Sequence, residues 1–237
     1  MRSYTRHQLK QDAFRAQTTE TISWAVEHQS KLIAAGIIAA VIAAVLLGGW
    51  FYVDYRDQQA QSLLSQAIEQ FNAPIRPAGT PATPDLPSFG SAQERAKTCN
   101  AEFTRIADKY SFTQSGRVAR YFAGITAHDM GDNALAEKDL QEVAGGRYKE
   151  IASLAKLALA GIYHDTNRDS QAIALYKDLA EHPTASVGKG AAQFMLASLY
   201  EEIHQPDQAR ALYLQMQKEN PASPVAQLAT QKLQALK

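Results

Sequence analysis

Residues 32–53, LIAAGIIAAVIAAVLLGGWFYV, run without a single charged side chain. Roughly 20 such residues suffice for a helix to cross the hydrocarbon core of a bilayer. In lipid a lone segment can satisfy its backbone N–H and C=O groups only as a helix, so this stretch admits one conformation. Lys31 and Asp54 bracket it, and Trp50, Phe51, Tyr52 and Tyr55 gather at its distal end, where aromatic rings settle among headgroups. Trp50, Phe51 and Tyr52 stand where a cleavable signal would need small residues, and the one cysteine, Cys99, lies too far downstream to carry a lipid. The run therefore reads as a permanent anchor.

Ahead of it, Arg2, Arg6, Lys10, Arg15 and Lys31 outnumber Asp12, Glu20 and Glu27, a bias that places the tail in the cytoplasm. The expected organisation is a cytoplasmic tail over residues 1–31, a transmembrane helix over 32–53 and a helical domain over 54–237. In a bacterium this makes a single-pass inner-membrane protein with a periplasmic C-terminal domain. Ile22, Ala25, Val26 and Ile33 continue one helical face, so the tail is predicted to enter the span as a helix with Trp24 near the inner surface. Gly36, Ala40, Ala44 and Gly48 recur every fourth residue, a small-residue stripe suited to close contact with another transmembrane helix.

The domain after the span carries an internal repeat. Leu196, Ala197, Tyr200, Ala209, Tyr213, Met216 and Pro221 have their counterparts one repeat earlier in Leu159, Ala160, Tyr163, Ala172, Tyr176 and Leu179, with Pro183 one place early. Earlier still come Ala123, Gly124, Ala127, Ala136, Leu140 and Val143, with Gly131-Asp132 at the turn, and before those Cys99, Phe103 and Ile106. The small residue of the second helix thus falls at 99, 136, 172 and 209, steps of about 37, 36 and 37. This is the tetratricopeptide pattern of about 34 residues, slightly lengthened. Small side chains let the helices of a pair touch, and the aromatic one turn away fills the gap to the next pair.

The expected fold is all-α: one transmembrane helix, then a tetratricopeptide-like α-solenoid of about four helix pairs. A closing helix from Ser223 to Leu236 would offer Val225, Leu228, Leu233 and Leu236 to cover the open end. The first helix of unit one is predicted over Gln58–Phe71, with Leu63, Leu64, Ala67, Ile68 and Phe71 inward. Between it and its partner lies a Pro-rich loop over 73–90, with prolines at 74, 77, 81, 84 and 87. Prolines this dense lack donors and resist helix and sheet, so an exposed, extended loop is expected.

Composition excludes some functions. Lys+Arg and Asp+Glu both number 24, which leaves no basic excess for a nucleic-acid backbone. One cysteine permits neither an internal disulfide, nor a thiolate zinc cage, nor a Cys-x-x-Cys pair. Gly-x-Ser-x-Gly, the phosphate-binding Gly-rich loop, His-Glu-x-x-His and the calcium loop are absent from the sequence. His128-Asp129 and His164-Asp165 do occupy matching places, with Glu201-Glu202 in the following unit. Equivalent side chains of neighbouring repeats lie about 8–10 Å or more apart, too far to share one metal ion. No catalytic residue, metal or cofactor is therefore expected.

First helices line the groove of such a stack. Tyr121, Phe122, Ile125, Leu157, Phe194 and Met195 become candidate apolar contacts for proteins or peptide segments, with His128, Asp129, His164, Asp165, Glu201 and Glu202 as a polar rim. Tail, single span and repeat domain, in that order, resemble the ancillary SecYEG translocon subunit family. The resemblance covers the whole chain in architecture, although the proline insertion and the longer tail depart from the pattern. It implies a non-catalytic, chaperone-like inner-membrane protein beside the translocon, handing emerging polypeptides to periplasmic chaperones. The alternative reading is a scaffold in another envelope assembly, such as outer-membrane biogenesis or cell division; a hydrolase is the third.

Overall fold

Apolar content and helix propensity fix the first element, α1, over Gln29–Phe71. The computed structural model describes residues 28–77, 79 and 87–235. The tail's predicted helical face at Ile22, Ala25 and Val26, with Trp24, lies outside the described residues, as does Leu236. The chain divides into two compact units, Met1–Asp54 and Tyr55–Lys237. In the first, the apolar run is helical, and Ile37, Leu46 and Trp50 are among the large side chains that stay exposed. It is the one helix among the described residues long and apolar enough to cross a membrane.

In the second unit the chain runs through α2 (Ala92–Lys109), α3 (Gln114–Asp129), α4 (Asn133–Ala144), α5 (Lys149–Asp165), α6 (Asp169–Glu181), α7 (Lys189–Glu202), α8 (Pro206–Glu219) and α9 (Pro224–Ala235). Each packs on its sequence neighbour, and α3 also meets α5, as stacked pairs require. The repeat positions are the core. Cys99, Ala136, Ala172 and Ala209 are buried, and so are Ala123, Ala160 and Ala197 on the first helices. How close the pairs come is visible at Gly124, where an added Cβ would lie 2.6 Å from Leu140 Cγ and 3.3 Å from the Ala136 carbonyl oxygen.

Each turn inside a pair is built the same way. Gly131, Asn167 and His204 adopt positive φ, of 83°, 58° and 58°. The following amides reach back into the helix, Asp132 N to Ala127 O, Arg168 N to Tyr163 O and Gln205 N to Tyr200 O, at 2.7–2.9 Å. This is the Schellman arrangement that satisfies the last carbonyls of a helix. His204 is thereby a turn residue.

Within Tyr55–Lys237, the first repeat is bound to the second by contacts from the C-terminal part of α1. Phe71 packs against Phe103 and Phe122, and the latter two rings stack at 5.1 Å. Asp57 Oδ1 accepts from the Ser115 amide at the start of α3, while Arg56 donates to the Lys109 carbonyl and lies over the Tyr110 ring.

Two expectations need correction. The Pro-rich loop is not extended and exposed throughout: its stems meet in a parallel bridge between Ile75 and Phe89, where Arg76 N donates to Phe89 O and Phe89 N to Pro74 O. Phe89 and Ala73 are buried, and Arg95 donates to the Ala73 carbonyl. Pro74 takes part only through its carbonyl, which accepts from Phe89, so the missing proline N–H costs the bridge no donor. In the closing helix the deepest residues are Ala226 and Ala229, not the larger side chains; Val225 and Leu233 are partly buried and Leu228 is 47% exposed. Close helix approach rewards the small residue here as it does within the pairs.

Two glycines give opposite expected outcomes. A Cβ at Gly116 would sit 1.9 Å from the Tyr110 carbonyl oxygen, whereas one at Gly161, in the middle of α5, meets nothing within 4 Å. Gly116→Ala is expected to cost at least about 1–3 kcal/mol. Gly161→Ala should gain about 0.5–1 kcal/mol by removing a mid-helix glycine. Thermal unfolding followed by circular dichroism checks both.

Candidate functional site

The first helices α3, α5 and α7 carry a shared pattern. At i, i+4 and i+8 along one face stand Tyr121, Ile125 and Asp129 on α3, then Leu157, Gly161 and Asp165 on α5, then Phe194, Ser198 and Glu202 on α7. Such spacing puts each trio on one stripe. The acid is in every case the last residue of its helix. Tyr121, Ile125, Leu157 and Phe194 are half-buried, resting on the core with one side towards solvent. Burial pushes the Tyr121 phenol above its ordinary range.

The remaining sequence candidates are placed differently. Phe122 turns into the aromatic cluster with Phe71 and Phe103, and Met195 is 45% exposed beside the α7 stripe. Glu201 is held structurally: it accepts from Tyr213 Oη at 2.6 Å and from Lys232 Nζ at 3.0 Å, which ties α7 to α8 and α9. Burial and this carboxylate together raise the Tyr213 phenol.

The paired histidines stitch repeats together. His164 Nδ1 lies 2.7 Å from Asp169 Oδ1 at the start of α6, and its Nε2 lies 2.8 Å from Glu202 Oε2 on α7. Carboxylates only accept, so in the protonated ring both nitrogens donate, and this geometry favours the imidazolium form. The hydrogen bond to Asp169, then the charge of Glu202, holds its pKa above the ordinary histidine value against a desolvation cost. His128 repeats the geometry more loosely, with Nδ1 2.8 Å from Asn133 Oδ1 and Nε2 3.6 Å from Asp165 Oδ2. Asp129 is exposed at the end of α3.

At the opposite ends of these helices, Val118, Ile151 and Leu154 line a cavity of about 430 Å³ together with Arg147, Tyr148 and Lys149. Arg147 donates to the Phe112 carbonyl and the Tyr148 hydroxyl. Glu150, beside them, accepts from the amides of Ala185 and Ser186, and the Ser186 side chain first, then these amides, hold its carboxyl below the usual range. Among the described residues no group of three His, Cys, Asp or Glu is arranged to hold a metal ion.

Reasoning from the sequence missed Val118, Leu154, Gly161, Asn133, Asp169 and the Arg147 edge. Gly161 carried a readable signal: an unforced glycine in mid-helix weakens it, so its presence calls for a reason. In the Gly36, Ala40, Ala44 and Gly48 stripe of α1, both glycines have open space where a side chain would stand.

A family model described as a tetratricopeptide repeat-like domain matches residues 23–237. No curated protein and no solved structure matches the chain.

The His164 geometry sets a pH dependence. Its folded-state value lies above the unfolded one, about 6.5, so its contribution to stability is complete below that pH and disappears as pH rises through the folded value. Thermal midpoints of the full chain should fall over that interval, and His164→Gln should flatten the profile. NMR titration of the ring should give a midpoint above that of free histidine.

Proposed function

The chain belongs to the tetratricopeptide repeat-like domain family, and from that premise we propose a membrane-anchored protein-binding module that works on translocated or assembling envelope polypeptides. Repeat domains of this kind typically bind proteins or peptides and do not catalyse reactions. The observation that carries the reading is the register of Tyr121, Leu157 and Phe194. Three half-buried apolar side chains, one per repeat, hold the same register on consecutive first helices. A partner segment laid across α3, α5 and α7 meets all three.

Anchoring rests on the uncharged run at 32–53, and the family match extends across that run as well as the repeats. A binding surface on the same chain as an anchor meets its partners at high effective concentration near the bilayer. The order of tail, span and repeats favours a place beside the Sec translocon in the bacterial inner membrane, with the repeat domain periplasmic and periplasmic chaperones downstream.

A photoreactive aromatic residue in place of Tyr121, activated in native membranes, tests the proposal. Translocon subunits captured together with many unrelated secreted chains are the expected result. Capture of one dominant envelope complex without the translocon would overturn it in favour of a dedicated scaffold.

A further inference from the structure

We infer that the groove takes an amphipathic segment whose apolar side chains are bordered on one flank by lysine or arginine, an inference that rests on the protein-binding reading above. Each first-helix stripe pairs an apolar anchor with an acid eight residues on: Tyr121 with Asp129, Leu157 with Asp165, Phe194 with Glu202. Eight residues of helix span about 12 Å. The three stripes therefore form an apolar strip and, parallel to it, an acidic rim.

The position of these acids is unfavourable for the helices that carry them. A helix C-terminus bears partial negative charge and prefers a cation, yet the last residue of α3, of α5 and of α7 is an acid. Other acids at this edge have local structural work. Asp132 caps α4 by accepting from the Leu135 amide, Asp169 starts α6 and holds His164, and Glu201 holds Tyr213 and Lys232. Asp129 has no hydrogen-bond or ion-pair partner among the described residues, and Asp165 is reached by His128 alone, at 3.6 Å. Glu202, although bonded to His164, stays 60% exposed. A row of acids at the helix ends in three successive repeats, each exposed and only partly answered by His128 and His164, fits further cationic side chains arriving from a partner.

The opposite rim has the opposite sign. Arg147 donates to a carbonyl and a phenol and pairs with no carboxylate among the described residues, and Lys149 has no ion-pair partner there either. Glu150 next to them is occupied by backbone amides. The groove is thus polar across its width, and a segment with basic residues on one flank has a single favourable orientation in it. Between anchor and acid, Gly161 and Ser198 keep the floor low, and a Cβ added at 161 would have nothing within 4 Å.

Two synthetic peptides with the same apolar residues at helical spacing, one bordered by lysine and one by glutamate, test this against the full chain in zwitterionic nanodiscs. The lysine peptide should bind about tenfold tighter or better, an advantage that shrinks as salt screens the exposed charges. The triple variant Asp129→Asn, Asp165→Asn, Glu202→Gln keeps side-chain size and hydrogen-bonding oxygens, and it should remove most of that advantage. Gly161→Leu, whose Cβ would have nothing within 4 Å, should block both peptides. Equal affinity for the two peptides, abolished by Gly161→Leu, would overturn the charge inference and leave the protein-binding groove standing. Binding indifferent to Gly161→Leu, or no binding of either peptide, would overturn the inference; crosslinking at Tyr121 then decides separately whether the groove reading survives.

Discussion

Everything in the repeat domain depends on two helices of a pair approaching until little more than backbone separates them. Ala160 and Ala197 on first helices, and Ala172 and Ala209 on second helices, are fully buried, and at Gly124 not even a methyl group would fit. Because these residues occupy almost no volume, the larger ones are displaced to the spaces between pairs. Tyr163, Tyr176, Tyr200 and Tyr213 fill those spaces. A solvent-facing stripe on each first helix is what remains after both inward directions are used, and the candidate groove is made of those stripes.

Much of this was legible because small, buried positions recur with a nearly constant step, and a periodic constraint survives in a single sequence. The four units, the inward residues of each and the run of first helices followed from it. The loop stems did not, since pairing of Ile75 with Phe89 is a contact across thirteen intervening residues, and a count of prolines carries no information about it. The positive-φ turns at Asn167 and His204 were less visible because asparagine and histidine, though tolerant of left-handed backbone, adopt it far less often than the glycine at 131. The closing helix misled for another reason: hydrophobicity ranks Leu228 above Ala229, while close packing ranks them the other way.

The candidate site was legible as positions but not as roles. His128 and His164 stood out by register. What the sequence could not supply was the partner on the next helix, Asp165 or Glu202, which turns a polar pair into a tie between repeats. Phe122 and Glu201 carry the same lesson, since adjacent residues on a helix point in different directions. Tyr121 and Phe122 differ by one position, and Tyr121 rests half-buried on one core cluster while Phe122 joins the aromatic group of the other.

The central claim is that partners are held by the first helices. Hydrogen–deuterium exchange of the full chain, alone and with a captured partner, tests it most directly. The account predicts slowed exchange along α3, α5 and α7, greatest around Leu157 and Gly161, with α4, α6 and α8 little changed. Protection confined to the second helices, or to the Pro-rich loop, would contradict it.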